Sequence, residues 1–156
     1  MKGFIIFLTV FLFLFSCSVQ EVCDDDLLPE AIATFQTFKD GKLIDTIISG
    51  VYMHGIREQV PNSLLYDSAK VSKIFFPLDP NSPQSSFVLR IQDVSDTIHI
   101  IHTSTVYLIS FTCGFLNDFT ITKIMYSKNN IKDIELIKEY VNAEETDVEE
   151  HFKFYF

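Results

Sequence analysis

The sequence predicts an all-β fold, an antiparallel β-sandwich of about seven to nine strands, and three observations carry that expectation. Short β-compatible runs follow one another with a turn signal roughly every dozen residues. The chain holds sixteen Phe and six Tyr against five Gly and no Trp, a composition suited to pleated surfaces packed around aromatic rings. No segment shows a helical period that a strand pattern does not match about as well. With 156 residues, the chain has enough length for one domain with a hydrophobic core and too little for two ordinary ones.

The first element is not a strand. Met1-Lys2-Gly3 places one positive charge ahead of an apolar run from Phe4 to Phe15, broken only by Thr9. A membrane-crossing helix needs roughly 20 apolar residues, and this run is shorter, with the length of a secretory hydrophobic region. Leu14-Phe15-Ser16-Cys17 follows and resembles the bacterial lipobox, which directs lipidation of its Cys and cleavage just before it. That resemblance implies a lipoprotein signal peptide over residues 1–16. It makes Cys17 the first mature residue, carrying diacylglycerol on its sulfur. An ordinary cleaved signal peptide followed by a coincidental Cys is the alternative. Residues 17–26 read as a lipidated polar tether ending in Asp24-Asp25-Asp26, a solvated stretch or a weak cation site, and residues 27–156 as a single sandwich domain.

Along that domain, Ala31 to Phe38 reads as a strand entering the turn Asp40-Gly41, where both positions tolerate positive φ. Leu43 to Ser49 is the return strand, and Val51 to Ile56 continues it past a bend at Gly50. Arg57 to Ser68 reads as loop. Lys70 to Phe76 is a strand stopped by Pro77, and Asp79-Pro80-Asn81-Ser82-Pro83 is a turn. Phe87, Leu89 and Ile91 share one face of the next strand. Beyond the turn at Asp93–Asp96, Thr97 to Ile101 and Thr105 to Thr112 are two β runs or one long bent strand. Phe119 to Tyr126 leads to Asn129-Asn130, which is hairpin chemistry. Ile131 to Val141 suits strand or helix, and the preceding turn favours strand. Asn142 to Glu150 is an acidic loop. The terminal His151-Phe152-Lys153-Phe154-Tyr155-Phe156 alternates so cleanly that it must be paired in a sheet to avoid aggregation.

Three Cys is an odd number for an exported chain. If lipid consumes Cys17, then Cys23 and Cys113 remain as one disulfide pair in an oxidising compartment. The loop it closes is 90 residues long, worth roughly 4–5 kcal/mol in the chain-entropy account. Two unpaired thiols are the alternative.

The order of several pieces along the chain resembles a family of small Bacteroidota envelope lipoproteins known only as a domain of unknown function. The pieces are Cys23, Asn62-Ser63-Leu64-Leu65-Tyr66, Pro77-Leu78 before Phe87-Val88-Leu89, Asp96-Thr97-Ile98, Cys113-Gly114-Phe115 and the aromatic C-terminal strand. The resemblance implies an envelope lipoprotein and carries no catalytic residue with it.

Net charge is −9, and Lys2 is the only charge in residues 1–16, so residues 17–156 hold 11 basic against 21 acidic side chains. A nucleic-acid partner is not expected, because phosphate binding needs a basic face. No catalytic residue, metal site or cofactor is expected either. His99 and His102 sit three apart and point to opposite sides of a strand, so they cannot chelate one metal as a pair. His54 and His151 read as structural or surface residues. Cys113 has no activating base nearby in sequence, and nucleophile-elbow, zinc-protease, P-loop and Rossmann signatures are missing. The acidic run Glu144–Glu150 lacks EF-hand spacing.

The expected protein is a non-catalytic binding or accessory module held at the outer membrane by the lipid on Cys17, on the periplasmic face or the cell surface. An outer-membrane protein is its candidate partner. A small outer-membrane β-barrel and an envelope carbohydrate-binding or hydrolase domain are the competing readings.

Overall fold

A computed structural model describes residues 29–56, 63–142 and 150–156. Eleven strands form, and no helix is present among the described residues. In chain order they are β1 Glu30–Lys39, β2 Lys42–Asp45, β3 Ile48–Ile56, β4 Leu64–Val71, β5 Lys73–Pro77 and β6 Gln84–Ile91. β7 Val94–Ser110, β8 Gly114–Tyr126, β9 Asp133–Leu136, β10 Tyr140–Val141 and β11 Phe152–Tyr155 complete the set. The predicted β-sandwich is what these strands build, as two packed sheets.

The first sheet has the order β2-β1-β11-β9, with β5 also on β1. β1 is its organising strand. Along one edge it pairs antiparallel with β5 through Glu30–Thr34 and then with β2 through Gln36–Lys39. Its other edge takes β11 in parallel, Ala33 opposite Phe152 and Phe35 opposite Phe154. The second sheet runs β10-β8-β7-β6-β3-β4, antiparallel in every pairing.

Alternation decides which residues meet between the sheets. Ala31, Ala33 and Phe35 of β1, Ile74 and Phe76 of β5, and Phe152 and Phe154 of β11 face inward from the first sheet. Val51, Met53, Phe87, Leu89, Ile98, Ile100, Phe119 and Ile121 face them from the second. The centre is aromatic: Phe76 meets Phe87 edge-on across the gap at 5.0 Å between ring centroids, and lies 5.2 Å from Phe152. The alternating C-terminal residues therefore do pair in a sheet, as expected, and they pair at its centre. The two alanines on β1 are what let β5 and β11 bring their rings so close to that strand.

Several boundaries differ from the sequence reading, and one cause recurs. The chain changes sheets over very few residues: at Thr46–Ile47 between β2 and β3, at Ser72 between β4 and β5, and at Ile137–Glu139 between β9 and β10. Each crossing cuts an apparently continuous β run into two strands with different partners, which is why eleven strands stand among the described residues where seven to nine were expected. Leu64–Ser68, expected as loop, is the start of β4. Its pairing with β3 is interrupted by register shifts, and Ser68 has positive φ. Asn129-Asn130 is not a hairpin turn: it lies on the crossing from β8 in one sheet to β9 in the other. Ile131–Val141 is strand only in its two short pieces, β9 and β10.

β7 and β8 form the longest hairpin. Near its base β7 is paired on both edges, with β6 up to Ile101 and with β8. Thr122 of β8 is bulged out opposite the Ile101–His102 step, and its hydroxyl donates to the Ile101 carbonyl at 3.1 Å. Past that bulge β6 has ended and β10 reaches only Phe119 and Thr120, so residues 104–118 continue as a two-stranded ribbon. The sequence alternatives for this stretch thus resolve to one long strand, with the irregularity at His102 where the bend was expected.

Candidate functional site

Four polar arrangements in the described residues have the chemistry from which a site could be built. The most accessible is a cleft of about 380 Å³ where β2 and β5 follow one another along β1. These two strands leave a gap beside Phe35, whose carbonyl accepts a hydrogen bond from the Thr46 amide at 2.9 Å. Thr34, Asp45, Lys73, Glu150 and Lys153 line the gap, with Ile47 as an apolar wall. Thr34, Lys73 and Lys153 come together because β5 and β11 pair with β1 at Thr34 from opposite sides. The Thr34 hydroxyl donates to the Glu150 carboxylate, and Lys153 Nζ lies 2.7 Å from Glu150 Oε1. That hydrogen bond holds the Lys153 ammonium above its ordinary pKa. Asp45 accepts from Gln36 Nε2 at 2.9 Å. Charges of both signs therefore face an open cleft, an arrangement that suits a polar neutral or zwitterionic ligand better than a strong anion or cation.

The same outer face carries exposed rings on either side. Phe75 of β5 and Phe38 of β1 are both exposed. Phe75 pairs with Ile32, and Phe38 lies six residues further along the same strand, about 20 Å at the usual strand rise.

The second arrangement is buried. His102 Nε2 lies 2.9 Å from Ser85 Oγ, and that hydroxyl accepts from the Asp79 amide at 2.8 Å. A serine–histidine pair suggests a nucleophile and its base, but the surroundings do not complete one. His102 Nδ1 is buried without a hydrogen-bond partner, so no carboxylate orients the ring. Burial pushes the imidazole below its usual pKa of 6.5 against the opposing pull of Asp79, and Phe119 stacks edge-on at 5.1 Å. The pair acts as a packed core histidine tied to the Pro77–Pro83 connection.

The third is Asp96, nearly inaccessible at 2 % exposure. Its Oδ1 accepts from the Ser127 hydroxyl and the Asn129 amide, and its Oδ2 from the Asn130 and Ile131 amides, at 2.7–3.0 Å. Burial alone would raise this carboxyl, but the Asn129 and Ile131 amides, the Ser127 hydroxyl and the Asn130 amide together outweigh burial and hold it below 3.8. Three consecutive amides turned onto one carboxylate shape the crossing from β8 to β9. Here the anion site is filled by the chain's own side chain.

The fourth is His151, also buried. Its Nδ1 accepts from the Ile32 amide at 2.9 Å, and its own amide donates to the Ile32 carbonyl at 2.7 Å, so it locks β11 onto β1. His99 lies on the outer face of β7, 2.8 Å from Ser86 Oγ. His102 points inward, so the two do sit on opposite sides of one strand. His54 lies half-buried on β3.

Of the residues singled out in the sequence, Cys113 lies in the turn joining β7 to β8, and its amide donates to Ser110 Oγ at 3.0 Å. Cys17, Cys23, the signal peptide and the tether lie outside the described residues, as does most of the acidic run. Its last member, Glu150, is described and belongs to the cleft. No sequence signal marked the cleft: its residues come from β1, β2, β5 and β11, and only tertiary pairing collects them.

No curated protein and no solved structure matches the chain. The match that does arise covers residues 51–156, from within β3 through all of the second sheet's remaining strands to β11. That span exceeds half of the sequence, and the chain belongs to the family of unknown function DUF6452.

Proposed function

We propose that this chain is a lipid-anchored protein of the cell envelope and acts as a non-catalytic binding or accessory module. The observation that carries the anchor is Leu14-Phe15-Ser16-Cys17 at the end of a short apolar run. Several acyl chains on Cys17, at about 0.8 kcal/mol per buried CH2, hold such a protein firmly. The Cys23–Cys113 disulfide belongs to this reading, since an envelope compartment is oxidising. The binding role is supported by the mixed-charge cleft and by the Ser85–His102 pair, which is enclosed and lacks an orienting acid.

Packing of two sheets around an apolar interior supports an anchored module over a small membrane barrel, whose lumen would be polar. A carbohydrate-binding role is the second reading. It is favoured by one feature, the exposed Phe38 and Phe75 flanking the cleft on one face of the first sheet, since sugar rings stack on such platforms.

Mass analysis of the mature N-terminus is the direct test. A diacylglycerol-modified Cys17, lost together with membrane association in Cys17→Ala, is the expected result; an unmodified N-terminus would overturn the anchor. For the partner, the tagged protein would be recovered from native membranes in mild detergent. A stoichiometric outer-membrane protein is expected, and recovery of the chain alone would turn the search to glycans.

A further inference from the structure

The ribbon formed by the outer half of the β7–β8 hairpin has a composition unlike the rest of the chain. From Thr97 to Asn117 there is no Asp, Glu, Lys or Arg, in a protein where 21% of residues are charged. Over residues 104–117 this uncharged segment extends past the body as two paired strands, about 20 Å at the usual rise per residue.

Among the described residues, most of its large apolar side chains are left uncovered. Ile98, Ile100 and His102 on β7 face the core and are buried. The same face continues outward as Val106 and Leu108, with Phe115 directly opposite Leu108 on β8. Here the first sheet no longer reaches, so Val106 is 62% exposed and Phe115 69%. Ile109 is exposed on the other side, and Phe111 at the turn is 100% exposed.

The turn that presents Phe111 is a built one. Ser110 Oγ accepts from the amides of Thr112 and Cys113 at 3.3 and 3.0 Å, and Gly114 takes the positive φ that returns the chain into β8. An apolar tip of this kind on a freely diffusing protein is an aggregation liability. Next to a bilayer it is a contact.

Resting on the lipid-anchor reading, we propose that the tip of the β7–β8 hairpin, with Phe111 and Phe115 as its anchoring side chains, docks into the interfacial region of the lipid bilayer. Chain length brings it there. Cys23 is six residues from Cys17, at most about 21 Å of extended chain, and a disulfide adds about 6 Å between its Cα atoms. Paired with Cys23, Cys113 therefore holds the tip within about 27 Å of the lipidated residue, the span formed by those two lengths. Charge selects the same surface: an acidic body is repelled by anionic headgroups, and the hairpin is the uncharged part that approaches without that penalty. The lipid and the hairpin then make two attachments, which fixes the orientation of the body, with the cleft carried at a set attitude to the membrane.

The chain has no Trp, so a single substitution supplies a unique reporter. The lipidated full-length mature protein carrying Phe111→Trp would be reconstituted into phospholipid vesicles, and its indole emission recorded with lipids brominated near the head or at the end of the acyl chain. Phe38→Trp, at a site 67% exposed on the other sheet, is the control. The expected result is a blue shift on reconstitution and stronger quenching by bromines near the head than at the chain end, at Phe111→Trp and not at Phe38→Trp. Water-like emission at Phe111→Trp would overturn the proposal, as would equal quenching at both positions. A blue shift without bromine quenching would also overturn it, in favour of a protein or a second copy on the tip. The mass of the N-terminal peptide judges the anchor separately: a lipidated Cys17 with a water-exposed indole removes the docking and leaves the anchor standing.

Discussion

The inner and outer halves of the β7–β8 hairpin are written in the same alternation and meet opposite fates. In the inner half, Ile98 and Ile100 vanish between the sheets, flanked by β6 on one edge and β8 on the other. In the outer half, Val106, Leu108 and Phe115 occupy the continuation of that face and stand in solvent. The sequence periodicity does not change at the boundary. What changes is whether another sheet lies opposite. An apolar face is a core when it is covered and a surface with a purpose when it is not, and burial alone separates a residue kept for stability from one kept for contact.

That contrast can be broken most forcefully at the aromatic centre. Phe154→Ala removes a ring in contact with Phe35, Phe76, Phe152 and Phe156, and is expected to cost about 3–5 kcal/mol in urea unfolding. A loss below about 1 kcal/mol would mean the body is not packed as described.

Asp96→Ala tests the polar counterpart of that core. It strands three amides and a hydroxyl, with an expected loss on the order of 3 kcal/mol. Because the folded state holds this carboxyl below 3.8, its contribution is fully present above that value and disappears as pH falls through the folded pKa. The acid limb of the stability curve should therefore be shallower in the variant.

Cys113→Ser and Cys23→Ser should each lower stability by roughly 2–4 kcal/mol under non-reducing conditions, with no further loss in the double variant. Additive losses from the two single changes would show that the residues are not paired.

A smaller effect belongs to His102. Its folded pKa lies below the unfolded 6.5, so the protein binds fewer protons when folded. Stability is complete above pH 6.5 and declines as pH drops from there toward the folded value. His102→Gln should remove that part of the decline, read from unfolding midpoints across the window; an unchanged slope would show that the ring titrates as it does in water.

Smallest of all, Phe111→Ala should leave stability within about 0.5 kcal/mol of the parent, although it deletes the same side chain as Phe154→Ala. A cost comparable to the core variant would erase the distinction between the two regions.

How much of this was legible beforehand differs by element. Phe87, Leu89 and Ile91 announce their buried face directly, because a two-residue period and a single covered face leave one solution. The pairing of His151–Phe156 in a sheet followed from its alternation, but its parallel alignment with β1 did not, since strand direction is set by partners far away in sequence. The breaks at Ser72 and Ile137–Glu139 were invisible for a related reason: a chain switching sheets stays extended, so local propensity barely registers the corner. The cleft was the least legible, because Thr34 and Lys153 are separated by most of the chain and meet only through the β1–β11 register.

By itself, the sequence determined the all-β class and the alternating core positions, and it is the whole basis for the export signal proposed before Cys17. These depend on local pattern and composition, which a linear reading holds completely. Tertiary structure alone decided which strands share a sheet, which apolar faces are covered, and which charges face the cleft. Those outcomes depend on contacts between distant segments, and the same side chain is core or contact surface according to what lies across from it.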